Sequence, residues 1–453
     1  MTYETLAAAL QAAIAEDDRA AIPGLVAELN SADLADVIGA SIGESNEPEK
    51  GIMVLQTMAL EQRADTFGYL PMALQQAIAE RLPPGDLAEL VTAMSADERA
   101  DLFNVLDDNI RYLLFKRLAR EEREDLRRLA SYEEGTAGAI MTSDYAVVQS
   151  GMSVGQALES LRRTAPDKET IYQAFVVDQD HRLLGALSLR QLIVATPNLR
   201  VDDLMAREVV TATTDTAQED IAKQISRYDL LALPIVNGSD KLVGIVTYDD
   251  AMDVAEAEAT EDMHKGATVG KLDTSLREAS PYALYRSRVH WLVILVFANI
   301  FTGAGIAYFE DTIAAHIALL FFMPLLVASA GNAGAQSATL MVRGIATGDV
   351  TGSDWARLFV KDIMVASALG LTMAAAVLFV GFFRAGIDIA IVVALTMIIV
   401  VLVGSLIGMG LPFILNKLNF DPATASTPLI TTIADVSGVM IYFGIATAML
   451  GLG

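Results

Sequence analysis

The 453-residue chain contains no cysteine, which excludes disulfides and thiolate metal centres and says nothing about redox compartment. It has only four histidines, none near another in sequence, so imidazole clusters of the kind that hold zinc or copper are excluded too. Positive charge is scarce: 32 Lys and Arg stand against 57 Asp and Glu, for a net charge of −25. That balance repels nucleic acid and anionic lipid and favours cations as partners. The signature of a nucleotide-driven motor is also missing. GATVGKL at Gly266 to Leu272 sets its glycines too close for the phosphate-cradling G-x-x-x-x-G-K-[ST] loop, and leucine follows the lysine. With no nucleophile and base template either, no enzyme is expected.

What is present is segregated. Hydrophobic residues make up 53% of the chain and the mean hydropathy is +0.41, yet 20% of residues are charged. Beyond Pro281 there are eight acids and seven bases, which leaves 49 acids against 25 bases upstream. One part is acidic and soluble; the other is apolar. The opening MTYETLAAALQAAIAEDD lacks a basic n-region and meets acids before an apolar core is long enough for a secretory signal. It reads as the first helix of a domain that stays where it is made.

Four regions follow. Residues 1–133 have helical periodicity, with apolar residues such as Leu87, Leu90, Val91 and Met94 three and four apart and turns such as Pro83-Pro84-Gly85. Residues 134–248 contain a tandem repeat in which Met141 matches Met205 and Gly185 matches Gly244, each copy giving a βαββα pattern. This resembles a CBS-domain pair, whose G-x-x-[ST]-x-x-D stretch can hold a ribose. The second copy has Gly244, Thr247 and Asp250, whereas the first has Gln191 in place of the acid, which argues against ATP as a partner there. Residues 249–280 begin with DDAMDVAEAEATEDM, seven acids among strong helix formers, an acidic connecting helix. Residues 281–453 give five apolar stretches, 290–308, 312–342, 359–383, 387–415 and 423–452. Each is read as long enough for a bilayer span, which takes roughly 20 residues, and the second and fourth are long enough to imply tilt or a broken helix.

Arg286, Arg288, Arg343, Arg357, Lys361 and Lys417 fall on one side of these spans and only Arg384 on the other. The positive-inside rule then puts the N-terminus in the cytoplasm and the C-terminus outside. Asp435 lies within the fifth span, where a carboxylate costs about 2.5 to 3.5 kcal/mol on insertion scales. It should face a cavity, a partner or an ion path, or else bond a neighbouring broken helix. No Lys or Arg lies deep enough to pair with it, which favours a cation. Asn332 and Gln336, one helical turn apart among glycines, suit a polar path lining or equally a helix–helix interface. Oxygen-only ligands select Mg²⁺, Ca²⁺ or Mn²⁺, and Mg²⁺, which keeps its waters, best fits one carboxylate per subunit. A divalent ion entering at about −100 mV gains roughly 2 × 2.3 kcal/mol, so no fuel is needed. The acids of the connecting helix, and Asp97 with Asp101 upstream, would repel unless cations neutralise them. Solvated helix faces are the bland alternative.

SYEEGTAGAIMT at Ser131 to Thr142, EAEATEDMHK at Glu256 to Lys265, PLLVASAGNAGAQSATLMVRG at Pro324 to Gly344, and DPA with TPLITTIADVSG at Asp421 to Gly438 resemble the MgtE family of bacterial magnesium channels along essentially the whole chain. The resemblance implies an all-α N-terminal domain, an α/β CBS pair, a plug helix and a five-helix transmembrane domain, in a homodimer embedded in the lipid of the bacterial inner membrane. It implies Asp435 as the pore carboxylate, with Asn332 nearby. It implies regulatory Mg²⁺ ligands at Asp97, Asp101, Glu219, Asp229, Asp250, Glu258, Glu261 and Asp262. Asp253 is counted with them from its place on the acidic helix. The expected function is a Mg²⁺-selective channel closed by internal Mg²⁺. A CBS-regulated anion channel and a membrane-anchored sensor without transport are the rival readings.

Overall fold

The structure is a computed structural model that describes residues 2–45, 47–165, 168–270, 279–418 and 420–451. It divides into two compact units, Met1–Ala257 and Glu258–Gly453.

In the first unit, short helices from Tyr3–Ala15 to Arg120–Leu129 precede any strand. Several begin with proline in the first turn, as in Ile22–Val26, Pro48–Leu55 and Pro84–Ala93, where a missing N–H leaves no hydrogen bond unmade. Leu87, Leu90, Val91 and Met94 are all buried, in one core with Leu10, Ile14, Leu34, Ile38 and Phe67.

The repeat forms two three-stranded sheets. One contains β1 (Tyr145–Gln149), β2 (Thr170–Val177) and β3 (Leu183–Ser188); the other contains β4 (Ala212–Thr213), β5 (Ala232–Val236) and β6 (Leu242–Thr247). In both, the first pair is parallel and the second antiparallel. The matched methionines and glycines are exchanged between copies. A Cβ on Gly244 would stand 2.5 Å from the sulfur of Met141, and one on Gly185 would stand 2.7 Å from the sulfur of Met205. The segment that leads each copy therefore packs on the other copy's sheet, fixed by the bridges Thr142 to Ile245 and Ala186 to Ala206. Only glycine leaves room for the thioether there. The helical domain is fastened on by Arg128, which donates to the Val243 carbonyl at 3.2 Å, and by Ser143, which donates to Asp125 at 2.6 Å.

The acidic connecting helix is Tyr248–Gly266. Residues 267–270 and 279–280 are not helical, so the helix is shorter than the connecting segment 249–280, ending at a glycine as helices commonly do. Residues 271–278, also expected in that segment, lie outside the described residues.

Among the described residues of the second unit, four helices are long and apolar enough to cross a membrane: Pro281–Tyr308, Trp355–Ala385, Ile387–Lys417 and Thr427–Met449. A fifth long helix, Met323–Ala346, has 24 residues but falls short of the others in apolarity. The reason is its content of Asn332, Gln336, Ser329 and Ser337 among alanines and glycines. The long second stretch is broken, into Glu310–Ala315, a 3-10 turn Ile317–Phe321 and Met323–Ala346, restarting at Pro324. The long fourth stretch is one 31-residue helix containing Pro412. At 1.5 Å per residue it reaches about 46 Å, well beyond a hydrocarbon core of about 30 Å.

The core of this unit gathers Leu319, Leu326, Val392, Met397, Tyr442 and Phe443. Tyr442 spends its hydroxyl on the Leu319 carbonyl at 2.9 Å, holding the broken segment against the last helix. Pro281–Tyr308 contributes little to this core, with only 6% of its most apolar window buried.

Candidate ion path and cation-sensing sites

Met323–Ala346 has two opposed faces. Asn332, Gln336, Thr339 and Arg343, spaced four, three and four residues apart, are all exposed. Ala330, Gly334, Ser337 and Met341, with the same spacing and offset by two residues, are buried or half-buried. An offset of two residues is about 200° of helix, so one face is packed and the other is an open polar stripe.

The last helix packs beside it. A Cβ on Gly331 would meet Thr431 at 3.1 Å, and one on Gly438 would meet Val327 at 3.8 Å, so the two helices run antiparallel. Asp435 lies between these contacts, half-buried, and makes no hydrogen bond or ion pair among the described residues. The backbone-bonding alternative read from the sequence is not what the structure places there. Asn332 follows Gly331 directly and is exposed.

At the C-terminal end of the stripe is a cavity of about 680 Å³. Its walls are Thr339, Val342 and Arg343 on Met323–Ala346, Thr427 and Pro428 at the start of the last helix, and Asp262 and Met263 on the connecting helix. The C-terminal turns of the connecting helix are tied to this unit by Lys265, whose Nζ lies 2.5 Å from Glu261 and 2.6 Å from Asp421. Burial works against the ammonium, but its hydrogen bonds to Asp421 and Glu261 hold its pKa above the usual lysine range. A metal ion at Glu261 would have to displace that ammonium.

The first unit gathers acids where the Ala96–Val105 helix meets the start of the connecting helix. Asp97 is driven up to about 7 by burial and then by Glu98, and its Oδ1 is buried without a hydrogen-bond partner. Asp250 is raised to about 7 by burial and then by Asp97, against the hydrogen bond it accepts from Thr247. Burial also raises Glu98. Two acids line the more open rim: Asp101, raised to about 6 by surrounding protein and then Glu134, and Glu169, raised to about 8 by surrounding protein and then Asp97. Solvent at the rim screens both effects. Glu169 and Glu98 were not singled out from the sequence. Glu169 follows a loop without periodicity, and only its place just ahead of a β-branched strand could have drawn attention to it.

Other expected ligands are not brought together. Glu219 and Asp229 sit at opposite ends of the Gln218–Tyr228 helix, about 15 Å apart by helix rise. Glu219 pairs with Lys223 at 2.8 Å, and Asp229 is the left-handed C-cap at φ +50°. Asp253 is exposed and Glu258, Glu261 and Asp262 are half-buried along the connecting helix. Among the described residues, no three Asp, Glu or His side chains are arranged to hold a metal ion. The Asp97 region nevertheless suits a hard cation, since a buried orphan carboxylate oxygen among raised carboxylates calls for positive charge.

The ribose motif has a local role in both copies. Asp250 accepts from the Thr247 hydroxyl, and Gln191 accepts from the Ser188 backbone N–H at 2.8 Å and hydroxyl at 3.0 Å. Both are helix-capping contacts.

A family model described as the MgtE intracellular N domain matches residues 29–135, the CBS domain model matches 137–197 and 201–257, and a model described as MgtE, divalent cation transporter, matches 323–445. The magnesium transporter MgtE of Thermus thermophilus is 39% identical over 450 residues, covering 99% of both chains. The chain belongs to the MgtE family. The MgtE magnesium transporter of Bacillus subtilis is 32% identical over 397 residues, covering 87% of this chain and 88% of that one. The crystal structure of the cytosolic domain of the Mg²⁺ channel MgtE in complex with ATP is 38% identical, with a TM-score of 0.51, and covers 55% of this chain and 99% of its own. The all-helical domain, the CBS pair and the apolar C-terminal helices thus occur in the order that MgtE relatives share.

Proposed function

We propose that this MgtE-family chain conducts Mg²⁺ across the bacterial inner membrane as a homodimer, with its N-terminus in the cytoplasm and its C-terminus outside. The family transports divalent cations and is not an enzyme. The observation that carries the reading is Asp435: a half-buried carboxylate in an apolar helix, with no hydrogen bond or ion pair among the described residues, on a helix packed against the one that carries the open Asn332 stripe. A charge there is costly unless an ion repays it. Mg²⁺ surrenders its waters reluctantly, so Asp435 meets the ion through water, and Asn332 and Gln336 offer amide groups to the hydration shell. The membrane potential supplies the driving force.

The same reading makes internal Mg²⁺ the closing ligand. Cations at the Asp97, Asp101 and Asp250 acids hold the helical domain against the CBS pair, and cations at Asp253, Glu258, Glu261 and Asp262 hold the connecting helix in place. Glu219 and Asp229 belong to the same proposal, although among the described residues no metal-holding group of three acids or histidines forms around either of them. Nucleotide plays at most a part through the second copy, where Asp250 supplies the acid that Gln191 does not. An anion channel is disfavoured by the lone carboxylate.

The test is Mg²⁺ flux into liposomes containing the purified protein. Asp435→Ala should abolish uptake while the protein stays folded; undiminished uptake would refute the path, and no uptake by the parent chain would favour a sensor.

A further inference from the structure

Asp362 enters neither the stripe nor the acidic sites. It lies about 10 Å along the Trp355–Ala385 helix from its start and heads a stripe of small buried residues, Ala366, Gly370 and Ala374, that faces Ile387–Lys417. Its two carboxylate oxygens are spent on two different helices. Ser337 of Met323–Ala346 donates to Oδ1 at 3.1 Å, Ser405 of Ile387–Lys417 donates to Oδ2 at 2.9 Å, and the two hydroxyls are 2.6 Å apart. Ser405 is buried and Ser337 and Asp362 are half-buried. One acid therefore joins three helices.

The joint sits beside a close helix–helix contact. A Cβ on Gly404 would collide with the Ala330 carbonyl and one on Gly408 with the Gly334 carbonyl, while one on Gly334 would lie 2.8 Å from the Gly404 oxygen. Met323–Ala346 thus lies backbone to backbone on Ile387–Lys417. Contacts between small residues bring the two backbones close, and the Asp362 joint adds a directional polar contact beside them. Ser337 is on the same packed face as Ala330 and Gly334, opposite Asn332 and Gln336. A rotation of the helix would turn both amides away from the open face they now occupy.

We infer that Asp362, through Ser337 and Ser405, is a positioning residue that fixes the rotation of the Met323–Ala346 helix and so sets the geometry with which Asn332 and Gln336 meet the permeating ion. Its role is selectivity, not contact with the ion. The inference rests on the proposed path.

The test compares Mg²⁺ and Ca²⁺ flux in liposomes for the parent chain, Asp435→Ala, Asp362→Leu, Asp362→Asn and the double variant Ser337→Ala with Ser405→Ala. Size-exclusion profiles report folding. Asp362→Leu should lower the Mg²⁺ to Ca²⁺ flux ratio about tenfold. Asp362→Asn, whose amide oxygen still accepts a hydrogen bond, should recover the ratio to within about twofold. The serine double variant keeps the acid and removes both donors, and should reproduce the leucine ratio; it decides the matter if Asp362→Leu does not fold. An unchanged ratio in the serine double variant overturns the inference, as does an asparagine variant no better than leucine, which would mean that the charge itself is required. Undiminished flux in Asp435→Ala overturns the path and this inference with it.

Discussion

The two units handle negative charge in opposite ways. In the first, Asp97, Glu98, Asp101 and Asp250 crowd one junction, and burial and mutual repulsion raise their proton affinities together. In the second, Asp435 stands alone on an apolar helix and Asp362 is shared between serines. Crowded carboxylates make a junction whose stability depends on what neutralises them, which suits a sensor. A solitary carboxylate beside an amide stripe offers one weak, hydrated stop, which suits passage.

The sharpest way to break this comparison is to remove each side separately. Asp435→Ala should reduce Mg²⁺ flux by on the order of a hundredfold, while Mg²⁺ still protects the soluble unit from protease. If protection disappears as well, the two units are not separable in the way described. Conversely, Asp250→Ala with Glu258→Ala should preserve flux and shift the internal Mg²⁺ needed for closure upward by about tenfold; patch recordings with an unshifted midpoint would remove these acids from the sensor.

A pH series sharpens the same contrast. Asp97 and Asp250 have folded values of about 7, far above the roughly 4 of an unfolded chain. For an acid with a raised value, burial carries no electrostatic penalty below the unfolded value, and the packed junction loses stability as pH rises through the folded one. Without Mg²⁺ the junction should loosen between about pH 6 and 8. With protons no longer competing, the Mg²⁺ midpoint for protease protection should fall several-fold over the same interval; a pH-independent midpoint would show that these acids do not bind the ion.

Smaller effects test packing. Gly408→Val places a side chain against the Gly334 carbonyl and should destabilise the membrane unit by about 1 to 3 kcal/mol in a detergent melting assay. Glu219→Ala, which removes a partly exposed ion pair with Lys223, should change stability by no more than about 0.5 kcal/mol. A larger loss would mean that Glu219 has a partner beyond its own helix.

Much of this was legible from residue order, for identifiable reasons. Leu87, Leu90, Val91 and Met94 announced a helix face because burial imposes its period on sequence, and the length of 312–342 announced tilt or a break because a bilayer has a fixed thickness. Asp435 stood out because a charge deep in an apolar run has few explanations. Other features left no such mark. Met141 and Met205 revealed a repeat, but nothing in a one-dimensional match says that each side chain is buried in the other copy's sheet. Asp362, beside Lys361 at the edge of a span, resembled an ordinary interfacial charge until Ser337 and Ser405, 25 and 43 residues away, were seen to converge on it. Glu169 belonged to no pattern at all.

The exchange of methionines also bears on how a signal could travel. Two lobes that each seat a side chain in the other behave as meshed gears, so neither can swing while the other stays still. A push on Asp250, three residues past the end of β6, would be handed to the first lobe with almost no backlash, and the pair would turn as a single lever.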